Sequence, residues 1–215
     1  MIVVSYLYYI SFILASLCAV TRYKMLDIAS TIFALYVWIG SFNEIVAGYS
    51  SSRYKTDMPV YAIYCLIEFA LISIYFNYSI DFFKKNNIGY YMALLGVILG
   101  VVNIVFIQGM NILTTYFLIF EGIFIIGMGL FSFFRLLLKN DNLELNRYPH
   151  FWFTSILLFF WSFTFISWAL YNYFYFKHDA FFNIISKSIS VVGILFYASI
   201  SCVFIFYPKM QKRYE

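Results

Sequence analysis

The chain has 215 residues, of which 64% are hydrophobic, 24% aromatic and only 11% charged, with a net charge of +4. A soluble domain carries about 25% charged and ~45–50% apolar residues, so this excess of Phe, Tyr, Ile and Leu cannot be hidden in a water-soluble core of this size. A soluble globular domain is excluded, and the scatter of the basic residues into short clusters at segment ends argues against a nucleic-acid partner.

Seven apolar stretches follow one another, at about 2–20, 28–48, 59–80, 88–108, 112–138, 151–174 and 181–207. About 20 apolar residues span the hydrocarbon of a bilayer. Lipid offers no partner to open backbone groups, so only helices or closed barrels are viable, and continuous rather than alternating runs select helices. The fold class is therefore all-α: one transmembrane domain over 1–215, a bundle of seven membrane-spanning helices. The first stretch could be mistaken for a signal peptide, but no Lys or Arg occurs before Arg22, which favours an uncleaved first helix. Pro59 opens the third stretch, Pro149 precedes the sixth and Pro208 follows the seventh, as expected of a residue disruptive in helix interiors. Between the fourth and fifth only Gly109-Met110-Asn111 makes the turn.

Orientation follows from the bases in the connections. One set of ends holds Arg22, Lys24, Lys84, Lys85, Arg135, Lys139, Arg147, Lys209, Lys212 and Arg213; the other holds only Arg53, Lys55 and Lys177. The N-terminus is expected outside and the C-terminus in the cytoplasm. No connection is long enough to fold by itself, the largest being 139–150. Cys18, Cys65 and Cys202 show no disulfide or zinc spacing, and His150 and His178 read as interfacial side chains at segment edges.

The informative residues are polar groups inside apolar stretches. Glu68 and Glu121 each fall about 14 Å below the outer surface at 1.5 Å per residue. Lys187 falls at roughly 9 Å, Asn103 at roughly 8 Å and Glu44 at roughly 6 Å. A charge at the bilayer centre costs at least ~2.5–3.5 kcal/mol, so such groups face one another or a cavity. Residues three, four and seven apart share a helix side. Tyr61, Tyr64, Cys65 and Tyr75 therefore flank Glu68; Asn183 and Ser190 accompany Lys187; Trp161, Thr164, Trp168 and Asn172 form a stripe on the sixth stretch. The expectation is an outward-facing pocket of Glu44, Glu68, Glu121, Lys187, Asn103, Asn183, Tyr64 and Trp168, with no metal site. Lys187 is expected to pair with one carboxylate, leaving another Glu to carry a proton or hold a cation. Against this stands the plainer reading that polar groups only hydrogen-bond helices together, which suits Asn43, Asn103 and Asn183. Glu44 is near enough to the interface to snorkel. Gly96 and Gly100 form a small-residue pair whose role is close helix packing.

Ile67-Glu68-Phe69, Phe106-Ile107-Gln108-Gly109, Glu121 and Pro149-His150-Phe151-Trp152 occur together here. In these motifs, over about half its length, the chain resembles a family of small bacterial seven-helix membrane proteins of unassigned activity. The resemblance implies a multi-pass protein of the bacterial inner membrane and supplies no activity. A lysine in the last span also resembles the microbial rhodopsins, where it carries retinal. Here, however, Asn183 rather than Asp stands four residues before Lys187, and the sixth stretch has no proline among its Trp residues.

The first functional expectation is a membrane-embedded sensor or accessory subunit. It would bind a small molecule, ion or lipid in the outer pocket and act through a membrane or cytoplasmic partner protein. The alternative is a proton- or cation-coupled transporter using the intramembrane Glu residues, although no inverted repeat is visible. An intramembrane enzyme is the remotest reading: the chain has no HExxH, Gly-x-Ser-x-Gly or glycine-rich phosphate motif, and no cofactor is indicated.

Overall fold

A computed structural model describes residues 2–139, 145–177 and 180–211, and among them every regular element is helical. The long helices are α1 (Ile2–Arg22), α2 (Ile28–Tyr54), α3 (Met58–Ser79), α5 (Ile88–Val102), α6 (Thr115–Lys139), α7 (Pro149–Lys177) and α8 (Ala180–Gln211), with a short α4 (Asp81–Asn86). Among the described residues six stretches are long and apolar enough to cross a membrane: Ile28–Tyr54, Met58–Ser79, Ile88–Ile107, Thr115–Leu138, Pro149–Leu170 and Ile184–Met210. The chain is thus a multi-pass, all-helical membrane protein. Its outward faces agree, carrying exposed Leu94, Ile98, Phe106, Phe163 and many other large apolar side chains that water would penalise.

The helices form a closed ring in the order α1, α2, α3, α6, α7, α8 and back to α1. The fourth long helix, α5, lies outside the ring against α3. Its approach depends on glycines. A Cβ on Gly96 would strike the Phe69 ring, and one on Gly100 would strike Leu66 and crowd Phe117. Phe69 is completely buried, so it has nowhere to move. The packing role expected of Gly96 and Gly100 is the one they play.

Several boundaries differ from expectation. The fourth segment ends in a π-helical turn, Asn103–Ile107, with Gln108 N–H bonded five residues back to the Asn103 carbonyl at 2.8 Å. The next helix starts at Thr115 rather than near 112. Gln108 bridges that gap: its Oε1 accepts from Asn103 Nδ2 (3.1 Å) and from the Tyr116 N–H (3.0 Å), while its Nε2 donates to Thr115 Oγ1 (2.9 Å). One side chain so caps α6 and ties it to α5, and Gly109 beside it has φ +77°, a conformation that favours glycine. Helix α8 runs through Pro208 to Gln211, since a proline in a last turn forgoes only one hydrogen bond.

Candidate functional site

A cavity of about 310 Å³ sits inside the ring, at the end where α2 passes into α3. All six ring helices or their lead-ins line it, and α5 contributes nothing. It extends from Asp57 and Met58, at the start of α3, down to Glu68 in mid-helix. The lining side chains of α3 are Tyr61, Tyr64, Cys65 and Glu68, which recur at three- and four-residue steps along one face. Opposite them, α7 presents Phe160, Trp161 and Trp168, and α8 presents Ser186, Ser190, Gly193 and Tyr197. Gly40 on α2 leaves room for the Tyr64 hydroxyl, which lies 2.9 Å from where a Cβ would stand.

Two carboxylates in the wall are held by tyrosines. Glu44 accepts from Tyr8 of α1 at 3.1 Å and from Tyr61 of α3 at 3.3 Å, joining three helices. Glu68 is 8% exposed; its Oε1 accepts from Tyr36 of α2 at 3.1 Å, and its Oε2 takes no hydrogen bond among the described residues. Each tyrosine directs its O–H at a carboxylate and keeps its oxygen lone pairs free to accept.

The structure distributes the expected site residues unevenly. Glu44, Tyr64, Glu68 and Trp168 line the cavity together. Glu121 does not; it is fully buried, both its carboxyl oxygens lack a hydrogen bond, and it lies near enough to Glu68 for their charges to interact. Lys187 stands exposed on α8 and lines nothing, because the face turned to the cavity is that of Ser186, Ile189, Ser190 and Gly193. No ion pair between Lys187 and a carboxylate is present among the described residues. Asn103 is buried at the end of α5, bonded to Gln108 and apart from the cavity. The side chains of Asn183 and Asn172, and His178 altogether, lie outside the described residues. Sequence reasoning missed Tyr8, Tyr36 and Tyr197, since nothing in a Tyr-rich chain marks which hydroxyls meet a carboxylate.

A second polar cluster occupies the other end of the ring. His150 is 6% exposed, not interfacial as expected: its Nε2 meets Asp27 Oδ2 at 2.7 Å and its Nδ1 lies 3.5 Å from the Tyr75 hydroxyl. Asp27 caps α2 by accepting from the Ser30 N–H at 2.7 Å, and its own N–H donates to Tyr207 of α8 at 3.2 Å. Burial alone would push the Asp27 carboxyl up. The hydrogen bond and charge of His150 and the bond from Ser30 outweigh that and hold it below the usual carboxylate range. Four helices thus meet at one ion pair. Between this cluster and the cavity lies a dry aromatic layer: Phe33 packs on Phe153 (ring centroids 4.4 Å), Tyr75 (5.1 Å) and Tyr36 (5.5 Å), and Phe153 on Phe204 (5.3 Å).

Among the described residues no group of three His, Cys, Asp or Glu is placed to hold a metal ion. Fold and site together define the class as a polytopic helical membrane protein with an acidic, aromatic-walled hollow. Beyond that class, the chain matches no family model, no curated protein and no solved structure.

Proposed function

We propose that this is a seven-span protein of the bacterial inner membrane that binds a small ligand in an outward-facing pocket and signals its presence to a partner protein through helix contacts. The observation that carries the reading is Glu68, a buried carboxylate whose free oxygen belongs to the wall of a roomy hollow. Charges at membrane depth mark function by default, and a packing role alone would not leave space beside one. As the seventh span, α1 has the length, at 21 residues, and lies along α8. The excess of Lys and Arg at the opposite end of the bundle supports an N-outside orientation, with the cavity facing out.

The aromatic layer under the pocket favours binding over conduction. Phe33, Phe76, Phe153 and Phe204 are completely buried there, and none of them lines the hollow. Because six helices share the lining, an occupant bears on every helix of the ring, which gives a bound ligand leverage over the outer surface that a partner reads. The second reading, proton- or cation-coupled transport, draws on the unpartnered Glu121 beside Glu68.

Native mass spectrometry of the protein taken from its own membranes tests the first reading. A small molecule should be retained by the wild type and lost from Ser190→Trp, which fills the hollow from an α8 position that lines it. Cross-linking in those membranes should then recover one partner in different yield from the two forms. Liposome flux present in the wild type and absent from both Glu68→Gln and Glu121→Gln would transfer the assignment to transport.

A further inference from the structure

Resting on the ligand-binding reading above, we infer that the pocket takes an organic ammonium cation: a protonated primary amine or a quaternary ammonium ion small enough for a hollow of about 310 Å³. The lining includes Glu44, Asp57 and Glu68 and, among its described residues, no Lys, Arg or His. Lys187, the base expected to neutralise the site, is exposed and turned away. An anion entering the cavity would meet uncompensated like charge, and a neutral ligand, even one donating an O–H to Glu68 Oε2, would leave the negative charge of the wall unbalanced.

The walls narrow the cation further. Trp161, Trp168, Phe160, Phe196 and Tyr64 present ring surface around the acidic groups. Aromatic faces attract alkylammonium heads through the ring quadrupole, and a desolvated contact contributes about 2 kcal/mol. The tyrosines bound to Glu44 and Glu68 add oxygen lone pairs that accept from an N–H or polarise around N-methyl groups. A hard metal ion demands several oxygens converging at about 2–2.6 Å, and the acidic residues are not grouped so. Charge spread over a wide, ring-lined hollow suits a diffuse organic cation. The same ammonium chemistry is found on free amines and on lipid headgroups.

The test uses the purified full chain in nanodiscs of phosphatidylglycerol alone, probed with choline, with its uncharged carbon isostere 3,3-dimethylbutan-1-ol, and with 3,3-dimethylbutanoate. Binding is read by tryptophan fluorescence and thermal stabilisation. Choline should bind and the other two should not. Glu68→Gln should weaken choline on the order of tenfold or more, as loss of a desolvated charge partner does. Trp168→Leu should weaken it roughly two- to thirtyfold. Ser190→Trp should abolish it, and Lys187→Gln should leave it unchanged. Choline binding reduced in phosphatidylcholine discs identifies a headgroup as the natural source, and undiminished binding identifies a free amine. The inference is overturned if the alcohol or the carboxylate binds as tightly as choline, or if sodium alone stabilises the protein and choline does not. A neutral or anionic molecule retained in native mass spectrometry and lost from Ser190→Trp would sink the cation while leaving the pocket reading intact. No retained molecule and no probe binding would end both.

Discussion

The two polar clusters at opposite ends of the ring contain similar chemistry, a carboxylate set among tyrosines, yet they are built to opposite ends. At the Asp27 end the carboxylate meets His150 at 2.7 Å and the Ser30 N–H, the Asp27 N–H donates to the Tyr207 hydroxyl, and packed rings lie above. At the Glu68 end one oxygen is engaged, the other is not, and about 310 Å³ stands open beside it. A carboxylate whose partners are complete holds helices in register. One whose partners are incomplete, next to a space, awaits an occupant. The difference lies in the number of satisfied hydrogen-bond positions and in the basic partner, His150, that only the Asp27 end has among the described residues.

The largest expected effect comes from removing the divider between the two clusters. Phe33→Ala should cost about 3–5 kcal/mol, read as a lowered unfolding midpoint in detergent, because its ring is fully buried among three aromatic neighbours. His150→Ala should follow at about 1–3 kcal/mol, since it strips partners from Asp27 and Tyr75 together. Glu68→Gln should change stability by less than about 1 kcal/mol, as Gln keeps an acceptor for the Tyr36 hydroxyl and removes a charge that had no full set of partners, while altering ligand binding. If Glu68→Gln destabilises as much as His150→Ala, the contrast between the clusters collapses.

Acid separates the clusters more finely. The folded Asp27 carboxyl sits below its ordinary value, so its contribution is present above about pH 4 and is lost as the pH falls towards the folded value. Its side chain is 43% exposed, and solvent screening keeps the effect modest. Between pH 5 and pH 3 the wild type should therefore lose more thermal stability than Asp27→Asn. Smallest of all, Lys187→Gln should shift stability by no more than about 0.5 kcal/mol, as an exposed side chain without an ion pair. A large loss there would return Lys187 to the pocket.

Apolar run length and the scarcity of charge determined the helical, membrane-spanning class without coordinates, because a bilayer tolerates so few backbone solutions. They also marked where the long helices begin to within a few residues, though α2 runs on to Tyr54, and put Glu44, Tyr64, Glu68 and Trp168 on faces that meet. Periodicity fails at a π turn, at a helix end and in rotation about an axis. The α6 start moved to Thr115 because Gln108 caps it across a gap, and Lys187 turned outward because a one-residue offset from Ser186 rotates a side chain by about 100°. The Asp27–His150 pair joins residues far apart in the chain, and no local pattern encodes such a meeting. Which buried charge is answered and which is left facing a hollow depends on how six helices close around one another, and only their packing decided it.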